Sequence, residues 1–352
     1  MRRIRTYIFI ILALSLPLSQ SSGFENPTLS LNADTLVNDI QQANNTIQIA
    51  TYSAYLKNLW SSHDPVIAAL ENAQRRGVNI EIQWNGFKDN IFNNQTSDSK
   101  QSSELKWCQY HHISCHFPSK TRAYYHRKFM IIDDRISYIM TGNLPWKVCT
   151  SLHPSRKHCT INYMWRTSSP ELIHELEAIS KADDVSPPSK PILTLNKKPV
   201  NLIISPNDDR YMRFIQQTKN SLDIMQPFLQ VKLPNDIQAS LQQILKKGIK
   251  VRLLTNPLPA PQKISQELLD LQKKYPSLLS IHESSPTMFI HAKVLIRDKA
   301  SVMAGSINWS DWSLHHNREV ALMDNHPSNI KFSLKNFNAL WDQSTKYKTV
   351  TY

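Results

Sequence analysis

The sequence predicts an α/β protein of two pseudo-symmetric lobes, each a mixed β-sheet flanked by helices. Three observations carry that expectation: a repeated segment, matching helix-to-strand punctuation, and a proline-rich break midway. Ile40-Gln41-Gln42 followed by Asn45-Thr46-Ile47-Gln48-Ile49 returns as Ile215-Gln216-Gln217 followed by Asn220-Ser221-Leu222-Asp223-Ile224. Self-similarity at one offset implies two copies of one unit. Downstream, Arg75-Arg76-Gly77-Val78-Asn79-Ile80-Glu81-Ile82 matches Lys246-Lys247-Gly248-Ile249-Lys250-Val251-Arg252-Leu253, in each case a helix end, a glycine stop and an alternating strand. Each copy therefore runs helix, strand, helix, strand, the order of an α/β unit.

The second helix of each copy has matching start chemistry, Asp64 before Pro65 in one and Pro234 opening the other. Proline suits a first turn because the donor it lacks has no partner there. Between the copies, Lys181 to Pro191 reads as a linker, since its prolines and polar residues neither extend a helix nor join a sheet centre. The expected division is a leader at 1–22, a first lobe at 23–181, a linker at 182–191 and a second lobe at 192–352.

The leader is read from Arg2, Arg3 and Arg5, an apolar run from Tyr7 to Leu14, and small or polar residues at Ser19 to Gly23. That three-part order is a secretory signal of the Sec type, so a periplasmic or secreted protein is expected. No later stretch is apolar over the roughly 20 residues a span requires. The 352 residues carry a formal charge of +13, which favours anionic partners without choosing among phosphodiesters, acidic lipid surfaces and nucleic acid. All four cysteines, Cys108, Cys115, Cys149 and Cys159, fall in the first half. An even count in an exported chain suggests disulfides, here paired locally as Cys108 with Cys115 and Cys149 with Cys159. His111, His112, His116, His153 and His158 lie among them, but CxxC spacing is lacking, and no metal or cofactor is expected.

The chemistry sits at one place in both copies. His126-Arg127-Lys128-Phe129-Met130-Ile131-Ile132-Asp133 is repeated as His291-Ala292-Lys293-Val294-Leu295-Ile296-Arg297-Asp298. On a strand, residues two apart share a face, so each histidine and lysine project together while the apolar run anchors the strand. Gly305-Ser306-Ile307-Asn308 and then Asn317-Arg318-Glu319 follow the second copy, adding a hydroxyl, an amide and a carboxylate of the kind that holds phosphate oxygens and fixes an imidazole tautomer.

These residues resemble the phospholipase D superfamily, whose pattern is HxKxxxxD followed by GSxN and a downstream acid, twice in one chain. The resemblance implies two phospholipase D-like lobes with one active site between them. Carried over by position, His126, Lys128, His291 and Lys293 line the cleft, Ser306 and Asn308 contact phosphate, and Asp133 and Asp298 complete the motif in a mainly supporting role. One neutral histidine attacks phosphorus while the other protonates the leaving alkoxide, and two lysines serve as the electrostatic clamp in place of a metal.

The first copy departs from the pattern. It has Gly142-Asn143-Leu144-Pro145 where the family places glycine, hydroxyl and amide, so only Asn143 is expected to reach phosphate. No Asp or Glu occurs between Asp134 and Glu171, and Met164 aligns with Glu319. Family precedent makes His126 the nucleophile. A carboxylate on the far imidazole nitrogen, if Glu319 serves its own half, favours His291 instead, and both assignments stay open.

The expected activity is hydrolysis of glycerophospholipids to phosphatidic acid and a head group at a membrane surface, with no obligate protein partner. Tyr124, Tyr125, Met288, Phe289, Trp309 and Trp312 flank the motifs as interfacial candidates, although Phe289 reads better as core. An exported nuclease, which the basic charge would serve, a synthase of cardiolipin-like lipids and a non-catalytic phosphate-binding protein are the alternatives.

Overall fold

In the structure, a computed structural model, residues 27–52, 64–85, 106–116, 123–144, 159–185, 201–258 and 262–347 are described. The leader at 1–22, Cys149, His153, His158 and the linker beyond Val185 lie outside them. Among the described residues no helix is long and apolar enough to cross a membrane.

The predicted order appears twice. Helix Asp34–Gln41 leads to a strand at Thr46–Thr51, then helix Pro65–Arg75 and a strand at Asn79–Trp84; helix Arg210–Gln216 leads to Ser221–Met225, then helix Asn235–Lys246 and Lys250–Thr255. Asp64 caps its helix by accepting the N–H groups of Val66 and Ile67 at 3.0 and 3.2 Å, which satisfies donors the first turn leaves open. Pro234 stands one residue before its helix, at the cap position. Gly77 and Gly248 take φ of 91° and 80°, a left-handed conformation that closes a helix at low cost only with glycine.

The first lobe's strands are β1 (Thr28–Ser30), β2 (Thr46–Thr51), β3 (Asn79–Trp84), β4 (Ser114–His116), β5 (Phe129–Ile132), β6 (Ile136–Met140), β7 (Cys159–Ile161) and β8 (Met164–Thr167). All but β7 form one sheet in the order β1-β8-β6-β5-β2-β3-β4. The second lobe has β9 (Leu202–Ser205), β10 (Ser221–Met225), β11 (Lys250–Thr255), β12 (Leu279–Glu283), β13 (Met288–Ile290), β14 (Val294–Arg297), β15 (Ser301–Gly305), β16 (Glu319–Asp324) and β17 (Thr345–Lys346). All but β13 form the order β17-β12-β11-β10-β14-β15-β16-β9. Both sheets are mixed: β2–β3 and β10–β11 pair in parallel, whereas the motif strands β5 and β14 pair antiparallel to β2 and β10.

Alternation along the motif strands explains the packing. Phe129 and Ile131 face a core shared by both lobes, with Val294, Ile296 and Ala304 from the second sheet, while Met130 and Ile132 face the first lobe's own outer core. Both faces are covered, so the strand reads as an unbroken apolar run. Helices Pro170–Val185 and Pro327–Asp342 add Leu172, Leu176, Ile179, Phe337 and Leu340 to the shared core. The first of these helices runs through Lys181 to Val185, so the boundary drawn at 181/182 falls inside it. Cys108 and Cys115 form the expected disulfide.

Gly305 lies where β15 presses on β16; a Cβ there would collide with the carbonyl of Val320 and the Cα of Ala321. Overpacking of backbone against backbone has no rotamer escape. Gly305→Ala is expected to lower stability by about 1–3 kcal/mol, read as a reduced urea midpoint with an unchanged slope. A wild-type midpoint would contradict this register of β15 on β16.

Candidate active site

The two lobes meet through a pair of crossed strand contacts. The segment entering the second motif, β13, lies parallel to β7 of the first lobe with Ile290 opposite Ile161, and the His291 N–H donates to the Ile161 carbonyl at 3.0 Å. The segment entering the first motif makes the equivalent bridge, Tyr125 opposite Arg318, with the Arg318 N–H donating to the Tyr124 carbonyl at 2.9 Å. An asparagine ending the neighbouring strand steadies each segment: Asn85 Oδ1 accepts the Tyr125 N–H at 2.8 Å, and Asn256 Oδ1 accepts the Ile290 N–H at 2.7 Å.

This crossing decides which groups orient the imidazoles. His126 Nδ1 lies 2.7 Å from Glu319 Oε2, 193 residues away, and His291 Nδ1 lies 3.0 Å from Asn162 Oδ1, 129 residues back. Each histidine is thus served by the other lobe. Glu319 belongs to His126 and not to His291, and the group equivalent to Glu319 is Asn162 and not Met164. The register shows why: Met140 faces Met164 across β6–β8, as Gly305 faces Ala321 across β15–β16, which places Asn162 and Glu319 two residues before those partners. Loops of unequal length before them hide the equivalence in the sequence.

The same register restores the hydroxyl that the first copy lacks on paper. Thr141 precedes Asn143 as Ser306 precedes Asn308. Thr141 Oγ1 accepts the Tyr163 N–H at 2.8 Å, and Ser306 Oγ accepts the Val320 N–H at 3.0 Å. Both hydroxyls are buried and committed to the strand that carries the orienting residue. The Ser306 hydroxyl, expected to contact phosphate, is engaged by a backbone N–H and the neighbouring carboxylate. Asn143 and Asn308 stand half-buried at equivalent positions. Gly142 makes room for Asn162, since a Cβ there would sit 2.6 Å from its side-chain amide.

Lys128 and Lys293 are buried and donate back to the carbonyls of their own histidines, at 2.5 and 2.6 Å, and Lys293 Nζ lies 3.2 Å from His291 Nε2. Asp133 and Asp298 are not part of this cluster. Each lies at the far end of its motif strand, about 16 Å from the lysine and about 23 Å from the histidine at strand rise. There Asp133 accepts the N–H groups of Asn44, Asn45 and Thr46 at 2.8–2.9 Å, and Asp298 those of Lys219, Asn220 and Ser221. Their task is to fasten β2 and β10 to the motif strand.

Burial dominates the titration of the cluster. Burial, joined by the charges of Lys128 and Lys293 and opposed by Glu319, lowers His126 to about 4. His291 falls well below its ordinary value through burial and then through Lys293, Lys128 and His126, with no carboxylate to offset them. Burial lowers Lys128 to about 7 and takes Lys293 well down, with Lys128 adding repulsion. Burial pushes the Glu319 carboxyl up, but His126, Lys128 and Ser306 more than reverse it; Ser313 donates to its other oxygen at 2.7 Å. Both imidazoles are held toward their neutral form. Among the described residues no group of His, Cys, Asp and Glu is arranged to hold a metal ion.

Aromatic rings flank the two histidines differently. Tyr52 lies edge-on to His126 at 4.9 Å and to Tyr124 at 5.5 Å, whereas Phe228 and Phe289 lie 6.0 and 6.3 Å from His291. Phe289 is 42% exposed and Trp312 43%, so Phe289 is a surface ring and not core. Tyr125, Met288 and Trp309 are core residues, and Trp309 donates to the Tyr211 hydroxyl at 2.9 Å.

Residues 36–182 and 211–341 match the family described as cardiolipin synthase, PLD-like domain. The chain is 28% identical over 110 residues to mitochondrial cardiolipin hydrolase of Homo sapiens, covering 31% of this chain and 42% of that protein. It is 30% identical over 115 residues to an uncharacterized protein of Streptococcus mutans serotype c, covering 32% and 24%. The chain thus spans less than half the length of these relatives. Phosphatidylserine synthase of Haemophilus influenzae superposes with a TM-score of 0.64 at 13% identity over 92% of this chain and 87% of that one. Polyphosphate kinase of Porphyromonas gingivalis does so at 0.60 and 13%, over 92% and 49%. At that identity the likeness is one of fold.

Replacing Asn162 by Asp places a carboxylate where His291 has an amide. The His291 pKa is expected to rise by roughly one to three units, followed by NMR titration of its ring protons. An unmoved titration would mean that the Asn162 side chain does not hold this ring.

Proposed function

The chain belongs to the phospholipase D superfamily, and on that premise we propose that it is an exported phosphodiesterase that hydrolyses glycerophospholipids to phosphatidic acid and a free head group. The observation that carries the reading is the crossed His126–Glu319 and His291–Asn162 pairing around two buried lysines. It makes two chemically unequal imidazoles out of two similar motifs.

With Nδ1–H donated to Glu319, His126 exposes the Nε2 lone pair. The carboxylate stabilises the positive charge that builds on the ring as it attacks. His126 is therefore the nucleophile: the same physical criterion that pointed to His291 selects His126 once Glu319 is known to cross the interface. A bond forms from Nε2 to phosphorus, the bond from phosphorus to the head-group oxygen breaks, and protonated His291 gives its proton to that oxygen. Water then loses a proton to His291 and attacks phosphorus, the P–N bond breaks, and phosphatidic acid leaves. An alcohol in place of water yields a new diester by the same steps. Lys128 and Lys293 hold the non-bridging oxygens. Asn143 and Asn308 stand on the same strand ends and add amide donors.

The lipid reading is supported by the exposed Phe289 and Trp312 and by the Phe228 ring beside His291, because aromatic side chains suit a boundary between apolar and wet phases. Export is supported by the leader at 1–22 and by the Cys108–Cys115 disulfide, a bond that persists in oxidising compartments. The charge of +13 favours the second reading, a nuclease. Fluorescent phosphatidylcholine and plasmid DNA, offered separately in EDTA, separate the two. Head-group release with intact plasmid is expected, and nicking without lipid turnover overturns the lipid reading.

Two further outcomes follow from the site. Acid-free trapping during turnover is expected to give a phosphohistidine at His126, absent from His126→Ala, with His291→Ala also inactive because nucleophile and acid act as a unit; a label on His291 reverses the order. The second concerns pH. The nucleophile must be neutral, so kcat/KM rises as pH increases through the His126 value of about 4. The clamp must be charged, so kcat/KM falls as pH increases through the Lys128 value of about 7. An optimum between them is expected, and a profile still rising above pH 8 would contradict it.

A further inference from the structure

We infer that Asp183 is a positioning residue for the His126–Glu319 pair, a buried acid that clamps one arginine from each lobe and so holds the two strand ends in register. Its Oδ2 lies 2.7 Å from Arg127 Nε and its Oδ1 2.8 Å from Arg318 Nε, and all three side chains are fully buried. Arg127 directly follows His126, and Arg318 directly precedes Glu319. Side chains alternate along extended backbone, so the clamp closes behind the backbone whose front presents His126 and Glu319. The arginines are anchored further, Arg127 to Gln83 Oε1 and Arg318 to the Ser205 carbonyl at 3.0 Å. Gln83 in turn donates to the Ser180 carbonyl at 3.2 Å and to Asp184 at 2.5 Å, on the helix that carries Asp183.

The second crossing shows that the fold does not require this clamp. There the residues equivalent to Arg127 and Arg318 are Ala292 and Ile161, both apolar and buried. That crossing is instead secured by a three-residue ladder, Met288, Phe289 and Ile290 opposite Cys159, Thr160 and Ile161. The Tyr125–Arg318 crossing has a single bridge among the described residues. The charged clamp stands where backbone pairing is shortest and where the orienting group is a carboxylate. One carboxylate holds both guanidinium groups, Arg318 through a hydrogen bond at 2.8 Å and Arg127 through a close ion pair, and a strand end displaced by an ångström is enough to lose orientation at the ring.

The test uses the full chain and a readout independent of turnover. The short His126–Glu319 contact gives a low-field Nδ1–H proton resonance, assigned by its loss in Glu319→Gln. Asp183→Asn is expected to remove or shift this resonance upfield while the circular dichroism spectrum is kept, and Asp183→Glu to restore it in part. Arg127→Gln, which leaves Asp183 paired with Arg318, is the second variant should Asp183→Asn not fold, and the same loss is expected. The kinetic arm rests on the phosphodiesterase reading and uses bis(p-nitrophenyl) phosphate. Asp183→Asn is expected to lower kcat about 10- to 100-fold with KM nearly unchanged, but to cost under about threefold in a Glu319→Gln background, because the two act through one contact. An unmoved resonance in the folded variants, or equal losses in both backgrounds, overturns the inference. A probe left untouched by the wild-type protein counts against the phosphodiesterase reading alone, and the resonance still decides the role of Asp183.

Discussion

The crossing of the two lobes is the constraint on which the site depends. Each histidine receives its Nδ1 partner from the opposite half, Glu319 for His126 and Asn162 for His291, so neither half holds both members of either pair. The crossing also governs what the shared core must do. Trp165 donates across the interface to the Ala304 carbonyl at 3.0 Å, and Asn329 accepts the Leu29 N–H at 3.0 Å, so the lobes are locked by directional bonds as well as by apolar packing. Glu319 and Asn162 reach their imidazoles only across the interface, so the site exists only where the lobes are docked.

Symmetry in the backbone and asymmetry in the side chains serve different ends. Equivalent backbone bonds recur throughout, Thr141 to Tyr163 and Ser306 to Val320, Asp133 and Asp298 each capping a strand start. These set two imidazoles and two ammonium groups about one point. The asymmetric choices sit one residue away: carboxylate against amide, Arg127 against Ala292, Arg318 against Ile161. Duplication supplies the geometry, and divergence at those positions gives the two rings different hydrogen-bond partners.

Much of the scaffold was legible in the sequence because it is local. Helix stops at Gly77 and Gly248, the cap at Asp64 and the apolar runs of β5 and β14 obey short-range rules, and the two His-Lys pairs declare themselves by repetition. What was not legible depends on register between segments remote in sequence. Sequence shows proximity along the chain and not across an interface, so it leaves open which half Glu319 serves. Asn162 lies two residues before the Met164 that sequence aligns with Glu319, although a polar residue followed by the apolar run Tyr163, Met164 and Trp165 mirrors Glu319 followed by Val320, Ala321 and Leu322. Asp183 lies in a segment whose polar composition reads as linker, yet it belongs to the helix Pro170–Val185. A buried acid looks the same as a solvated one until its partners, more than fifty residues away on one side and more than a hundred on the other, are placed beside it.

The amide at Asn162 then acquires a physical meaning within the proposed mechanism. A nucleophilic imidazole gains positive charge as it attacks, and a carboxylate behind it lowers the energy of that state. The partner imidazole has the opposite task, since it must release a proton to a departing oxygen and take one from water. A second carboxylate would hold that proton more tightly and slow its release. An amide fixes the tautomer and orientation through the same hydrogen bond without adding negative charge. Burial, and after it the charges of Lys293 and Lys128, keep that ring neutral, and in the proposed mechanism the substrate's phosphate anion offsets the lysine charges. In this arrangement the acid is charged by the arrival of the group it will protonate.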